Sequence, residues 1–505
     1  MAAFGEILLF AVLCGAGHDL LDMMPTEAYW QAKGVTVSAE TMLAELTPPA
    51  KPDAAEWIAK LGHEKADVRE EATKKLQGMG AAILPQLQAA AKSDDAEVAA
   101  RANMLIGKIT GGGARAAEVR RLMAIRTLGE LKAADALPAL KKLTASKELF
   151  VAEYAKAAVA AIEGKPYKRP ATDAKAFQED LWLLPRNCGL VAQVASSGQP
   201  LPKLQDWIAT MGGPGAPDGP RASAPDGPEA MTRRFTEMLI KAAEQVGNVR
   251  LDGLTFGLSD NVSNKTGFLV LVARGQYDSE AVAGLLARGR RAQGPETVEG
   301  LKVYRPEREF AIMVPSTDRL VVVGGPARKD PLPVEAMAKA IKTGKGELAN
   351  NTEMAKLIQA TDRTGPVWAV ARIGEAYQKA EFLRAFHTVT LTSTQGKELL
   401  ELNLRAEGGE PNEVAQSYAI MEKGLAKLRG EIARHADEAP PLKTFAEVLQ
   451  AIQLHLDGKV VTATAKLRTP FQFIPMMLFW TVGRNTHAVE AKAAVGANPA
   501  PVRVR

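Results

Sequence analysis

Two cysteines in 505 residues, Cys14 and Cys188, exclude a disulfide framework and a cysteine-built zinc site. Cys188 reads as a buried structural thiol. Aromatics are scarce at 5%, and single-strand nucleic-acid binding needs them as stacking platforms. Neither sign of charge dominates, since 63 Lys and Arg face 58 Asp and Glu for a net charge of +5. That excess is far from a nucleic-acid footprint, so no nucleic-acid partner is expected. Membrane-length hydrophobic runs are missing too. The apolar stretch 471–482 falls short of the roughly 20 residues a spanning helix needs, and Pro475 interrupts it. It is expected to dock on the preceding domain. The alternative is membrane contact without spanning, aided by the flexible basic tail 484–505.

Catalytic signatures are equally sparse. The six histidines, His18, His63, His387, His435, His455 and His487, include no pair at metal-binding helical spacing. No phosphate loop appears: Gly107 to Gly113 lacks the lysine–hydroxyl pair, and Pro326 removes a donor after Gly324-Gly325. A Gly-x-Ser-x-Gly nucleophile elbow is absent. Carboxylates such as Glu70 and Glu71 stand four residues before Lys74 and Lys75, the spacing of solvated helix pairs. The expectation is therefore a chain that catalyses nothing, with no cofactor and no metal.

At this length two or three domains are expected. Residues 1–17 resemble a secretory signal, with an apolar core Ile7 to Leu13 and the small run Cys14-Gly15-Ala16-Gly17. Export to the periplasm or cell envelope is expected, with a cytoplasmic location as the alternative. Residues 18–53 hold two helix starts, at Pro25-Thr26-Glu27 and Ser38-Ala39-Glu40-Thr41, expected to cap the array that follows.

From 54 to 165 the apolar period is helical. Val68, Ala72 and Leu76 recur 30 residues later as Val98, Ala102 and Ile106, and Ala124 and Leu128 recur 34 later as Ala158 and Ile162. Partner helices begin with a proline in the first turn, in Leu84-Pro85-Gln86-Leu87 and Leu137-Pro138-Ala139-Leu140. Each pair has an apolar face it cannot cover alone, so stacking follows. The segments Ala124 to Leu131, Ala136 to Leu140 and Val151 to Ile162 resemble HEAT repeats of the short bacterial type. That resemblance covers about a fifth of the chain. It implies a helical array used as a protein-binding scaffold, although a few relatives bind nucleic acid or act on tetrapyrrole-carrying proteins. No catalytic motif comes with it. Gly111-Gly112-Gly113 breaks the regular solenoid.

From about 176 the period changes to two. His387 to Thr394 and Val460 to Leu467 alternate polar and apolar residues, as half-buried antiparallel strands do. The region 176–483 is therefore α+β with mainly antiparallel sheet. Strands are predicted at 254–258, 267–274, 310–314 and 320–323, and helices at 231–246, 279–288, 334–342 and 412–435. Two strands and a helix from Gly253 are echoed from Thr388, which suggests a duplication with halves near 176–375 and 380–470. Glycine and proline between 212 and 228 mark a mobile loop.

One site candidate is electrostatic. Arg115, Arg120, Arg121 and Arg126, with Lys132, Lys141 and Lys142 nearby, could form a basic patch on the array for an acidic partner or a phosphate backbone. Solvated helix surface is the plainer alternative. The leading functional reading is an exported, non-enzymatic scaffold with a protein partner. A carrier of an apolar or lipid-like ligand in the α+β region, and an enzyme with a site between the two parts, remain alternatives.

Overall fold

The structure is a computed structural model. It describes residues 19–46, 54–79, 83–108, 114–148, 150–167, 174–195, 228–261, 266–278, 281–283, 293–325, 332–378, 380–396, 399–435 and 440–467. The leader 1–17, the loop 212–227, the glycine run 111–113, the stretch 471–482 and the tail 484–505 lie outside the described residues.

The N-terminal part is helical: α1 (Thr26–Ala32), α2 (Ala39–Leu46), α3 (Ala55–Ala59), α4 (Ala66–Met79), α5 (Leu84–Ala90), α6 (Ala96–Lys108), α7 (Ala114–Glu130), α8 (Leu137–Leu143), α9 (Val151–Ile162) and α10 (Ala174–Asp180). Both α5 and α8 carry proline in their first turn, where its missing N–H costs no helical bond. Ala72, Ala102, Ala124 and Ala158 are all buried.

The array divides into two cores. Leu61, Leu76, Ile83, Leu87 and Leu105 close a small core among α3 to α6. Each such side chain contributes roughly 1.5–3 kcal/mol when fully buried. By contrast α7 and α9 share a large core with the N-terminal segment and with the sheet described below. The two helices after residue 18 do not cap the first repeat. Instead α2 packs on α7, and Leu21, Met24, Tyr29, Trp30, Met42 and Leu46 join Val119, Ile125 and Leu128. The buried Trp30 indole donates to Thr127 Oγ1 at 2.9 Å. Ser38 caps α2 as its sequence suggests, accepting from Thr41 N at 3.1 Å. The Thr26 hydroxyl goes elsewhere, to Glu130 Oε2 at 2.5 Å.

The remaining elements are β1 (Cys188–Ala195), α11 (Pro228–Val246), β2 (Arg250–Ser259), β3 (Leu269–Gln276), β4 (Gln293–Val298), β5 (Leu301–Glu307), β6 (Phe310–Ser316), β7 (Arg319–Gly324), α12 (Val334–Thr343), α13 (Thr352–Ala360), β8 (Val367–Arg372), α14 (Glu375–Gln378), β9 (Phe386–Gln395), β10 (Leu400–Gly408), α15 (Pro411–His435), α16 (Pro440–Ala451), β11 (Gln453–Asp457) and β12 (Val460–Leu467). All twelve strands form one antiparallel sheet, in the order β11-β12-β10-β9-β8-β1-β2-β3-β7-β6-β5-β4.

Outward from the central β1–β8 pair, the two directions repeat one topology. On one side lie β1, β2, β3, β7 and β6, and on the other β8, β9, β10, β12 and β11. The register repeats as well. Ala192, Phe256, Leu271, Val322 and Ile312 stand in one row across the first unit. Ala369, Leu391, Leu404, Ala463 and Leu454 continue that row across the second. The second unit therefore starts at β8, before Val367, and not between 375 and 380. The two units share a single continuous sheet.

The sheet's two faces are covered unequally. Helices of the array, with α11, cover the first unit's part of the Ala192–Ala369 face, and α15 packs on the second unit's part. On the opposite face α12 and α13 bury Val270, Val272, Met313, Val321 and Val323 of the first unit. The corresponding face of the second unit carries Thr390, Thr392, Asn403, Arg405 and His455, partly or fully open to water.

Candidate functional site

Successive helical residues step 100° around the axis, so arginines at 115, 120, 121 and 126 cannot share one face of α7. They leave it in different directions, and each finds a carboxylate of the same chain. Arg115 Nη2 lies 2.7 Å from Asp278, just beyond β3. Arg120 grips Glu45 of α2 through two bonds of 2.5 and 2.6 Å, with its guanidinium 5.7 Å from the centre of the Trp30 ring. That hydrogen-bonded pairing is the main cause that raises the Arg120 pKa. Arg121 reaches Glu148 at 2.8 Å.

Arg126 pairs with Glu130 at 2.9 Å and donates to the carbonyls of Leu21 and Met24 at 2.6 and 2.9 Å. It thereby ties the first described residues to the array. On α8, Lys141 meets Glu163 at 2.9 Å, while Lys142 lies exposed in the last turn. Lys132 is exposed with a left-handed backbone, φ 51°. The candidate residues thus do not gather into a single positive patch. Arg115, Arg120, Arg121, Arg126 and Lys141 are all paired, and three of those pairs join α7 to α2, to the sheet and to the approach to α9. Their spacing is legible in the sequence, but the partners of Arg115, Arg120 and Arg121 are 27 to 163 residues away.

Glu118 sits among the same groups. Burial chiefly raises its pKa, Glu148 and Asp278 add to the rise, and Arg115 opposes it. Further ion pairs hold the layers from within. Arg250 is buried against Glu153 of α9 at 2.5 Å. Asp180, ending α10, is 1% exposed; it accepts from Arg274 at 2.6 and 2.7 Å and forms an ion pair with Arg319 at 3.1 Å.

A cleft of about 1090 Å³ opens where the two sheet units meet, beside the end of β8. It was not anticipated from sequence, because its ionisable residues come from four separate stretches. Asp260 follows β2, Glu353 and Lys356 lie on α13, Arg372 and Glu375 flank the turn after β8, and His387 starts β9. Asn351 places α13 by accepting from Met354 N at 3.1 Å and donating to the Arg186 carbonyl at 2.8 Å. Arg372 pairs with Glu353 at 2.9 Å, so part of the cleft's charge is neutralised internally. Beside it, burial first and Asp260 second raise the pKa of Tyr377. Charges of both signs around one opening suit a polar ligand carrying both signs.

Behind the cleft, Cys188 is buried and its thiol is pushed up to about 12, by burial first and Asp260 second. A thiol so held is protonated at neutral pH and a poor nucleophile. Among the described residues no group of three His, Cys, Asp or Glu side chains is placed to hold a metal ion.

No family model matches the chain, and no curated protein matches it. Among solved structures it is similar to three crystal forms of TP0453. Form I aligns over 63% of this chain and 98% of that one, at 10% identity and a TM-score of 0.30. Forms III and IV each align over 59% of this chain, covering 97% and 96% of theirs, at 8% and 10% identity and the same TM-score. The likeness is too slight to inform function. No helix among the described residues is long and apolar enough to cross a membrane.

Proposed function

We propose that this chain is a non-enzymatic binding protein, acting outside the cytoplasm, whose HEAT-like helices hold a protein partner. One observation carries the reading. Helices α3 to α6 close a core of their own, whereas α7 and α9 are built into the core that holds the sheet. The outer surfaces of α3 to α6 are thus not used to hold the fold together. They are charged, with Met104 of α6 40% exposed among them.

The test uses the full-length chain in its native host, with a photo-crosslinking residue in place of Met104. A second chain carries it at exposed Asn403 on the open sheet face. A discrete protein adduct from position 104 supports the reading. Adducts from 403 alone, or from neither, sink it. Export is tested separately by the intact mass of the mature protein, where a start near Gly17 is the supporting result.

The cleft beside β8 favours a second reading, a site for a small polar molecule with bound-state chemistry at His387, Lys356 and Asp260. Ligand-observed NMR against a set of small zwitterions tests it, using His387→Ala as the control that must abolish any signal.

A further inference from the structure

The two edges of the sheet are finished differently. At one end β4 contains Gly294-Pro295 and a register break between Gln293 and Glu296. Proline lacks the N–H that a further strand would need, and a bulge twists an edge away from pairing. At the other end β11 has the sequence Gln453-Leu454-His455-Leu456-Asp457, with no proline, no glycine, no lysine and an unbroken register on β12.

The first unit shows what its own counterpart of this edge does. In the repeated topology β11 corresponds to β6, and β6 is not an edge, because β5 pairs with it and β4 with β5. The outer side of β11 is the same position with no strand on it among the described residues.

Backbone parity fixes which groups are offered there. The hairpin joining β11 to β12 has a two-residue loop, Gly458-Lys459, with Gly458 at φ 55°. A positive φ at the first central residue alone is the type II′ turn, whose flanking residues form a hydrogen-bonded pair. Asp457 and Val460 are therefore such a pair, and alternation makes His455 and Gln453 bond inward to β12 as well. Leu454 and Leu456 then direct their N–H and C=O groups outward.

We infer that β11 is a self-pairing edge, through which two copies of this chain join antiparallel about a two-fold axis. The outward groups allow one centred register, with Leu454 of each copy opposite Leu456 of the other through four backbone hydrogen bonds. His455 faces its own copy across the axis as the closer, non-hydrogen-bonded pair. Gln453 faces Asp457, so neither Asp457 carboxylate meets the other across the pair. The same kind of join already exists inside the chain, where β1 and β8 unite the two units antiparallel with Ala192 opposite Ala369. Above this edge α15 carries Leu428, 38% exposed, so apolar surface is open on the adjoining layer too. Five residues a side fall below the roughly 1,200 Å² of a standard interface, so the expected Kd is micromolar, about 1–100 µM.

Sedimentation velocity of the full-length chain across that range is the experiment. The wild type is expected to move from monomer to dimer. His455→Lys places two ammonium groups opposite each other on an exposed position and is expected to weaken the dimer at least tenfold, while His455→Gln keeps it. In a chain carrying Cys14→Ser, His455→Cys with a short bifunctional thiol reagent is expected to give a covalent dimer above the background of the Cys14→Ser parent, whose Cys188 is buried. A wild type that stays monomeric overturns the inference. So does a dimer indifferent to His455→Lys, or one that gives no 455–455 cross-link.

Discussion

Gly129 on α7 lies so close to Ala158 on α9 that a Cβ built on the glycine falls 2.9 Å from the Ala158 Cα. Contacts that short with backbone cannot be relieved by turning a side chain. Replacing glycine with alanine inside a helix gains roughly 1 kcal/mol of propensity. Overpacking a closed core costs about 1–3 kcal/mol. The second effect wins here, so Gly129→Ala is expected to lower the urea midpoint, and Gly129→Leu to lower it much further. A Gly129→Ala chain more stable than its parent would show that α7 and α9 are not packed this tightly.

The carboxylate of Asp180 is shared by Arg274 and Arg319 in a nearly closed environment. Removing one partner from a buried ion pair leaves charge uncompensated and costs roughly 3–5 kcal/mol. Asp180→Ala is expected to lose stability toward the lower end of that scale, because the two guanidinium groups lose their shared carboxylate while Arg274 keeps Asp318 at 3.0 Å. Chemical denaturation checks it, and a change under about 1 kcal/mol would mean that water already reaches the pair.

Glu118 supplies a pH dependence of defined sign. Its carboxyl is held above the usual carboxylate range in the folded chain, so folding favours its protonated form. The stability tied to that proton is present at acidic pH and declines as pH rises past the unfolded value. Glu118→Gln should therefore raise the melting temperature at pH 7 and leave it nearly unchanged at pH 4. Equal effects at both pH values would remove burial as the cause.

Cys188 should be inert to thiol reagents in the folded protein at pH 8, because its thiol is buried and protonated. Labelling of this cysteine is expected to follow unfolding, and to rise with urea along the denaturation curve. Its linkage has the same sign as that of Glu118. The contribution is complete below the ordinary value of 9.0 and disappears as pH climbs toward about 12. Prompt labelling without denaturant would place the sulfur at the surface.

The sequence was most readable where one period governs one face. Thr388, Thr390 and Thr392 alternate with Val389 and Leu391 because Val389 and Leu391 pack against buried apolar clusters while the threonines take the other face, all five staying half-buried. Strands β2, β3, β6, β7 and β12, and helices α11, α12 and α15, fall near their predicted positions for the same reason. Less readable was β1, where Cys188 to Ala195 at the centre of the sheet shows no clean alternation. The short strand β8 was also hidden, since Val367 to Arg372 holds too few residues to establish a period. Missing β8 displaced the boundary between the units.

The candidate residues show a similar divide. Local spacing reveals that Arg115 to Arg126 cluster in the chain, yet Glu45, Glu148 and Asp278 become their partners only after distant segments fold together. The cleft at Arg372 and His387 depends on four such segments and had no local signal at all.

The core around α7 and α9 has a consequence for synthesis. Leu20 and Leu128 share it with Leu271 and Val322, and the Leu20 amide bonds to the Val249 carbonyl. On the ribosome, α7 and α9 must wait for strands β3 and β7, whose residues follow more than a hundred positions later, while α3 to α6 have their core partners close by in sequence. A chain that must stay open through most of its translation remains extended long enough for another process to act on it before the final collapse.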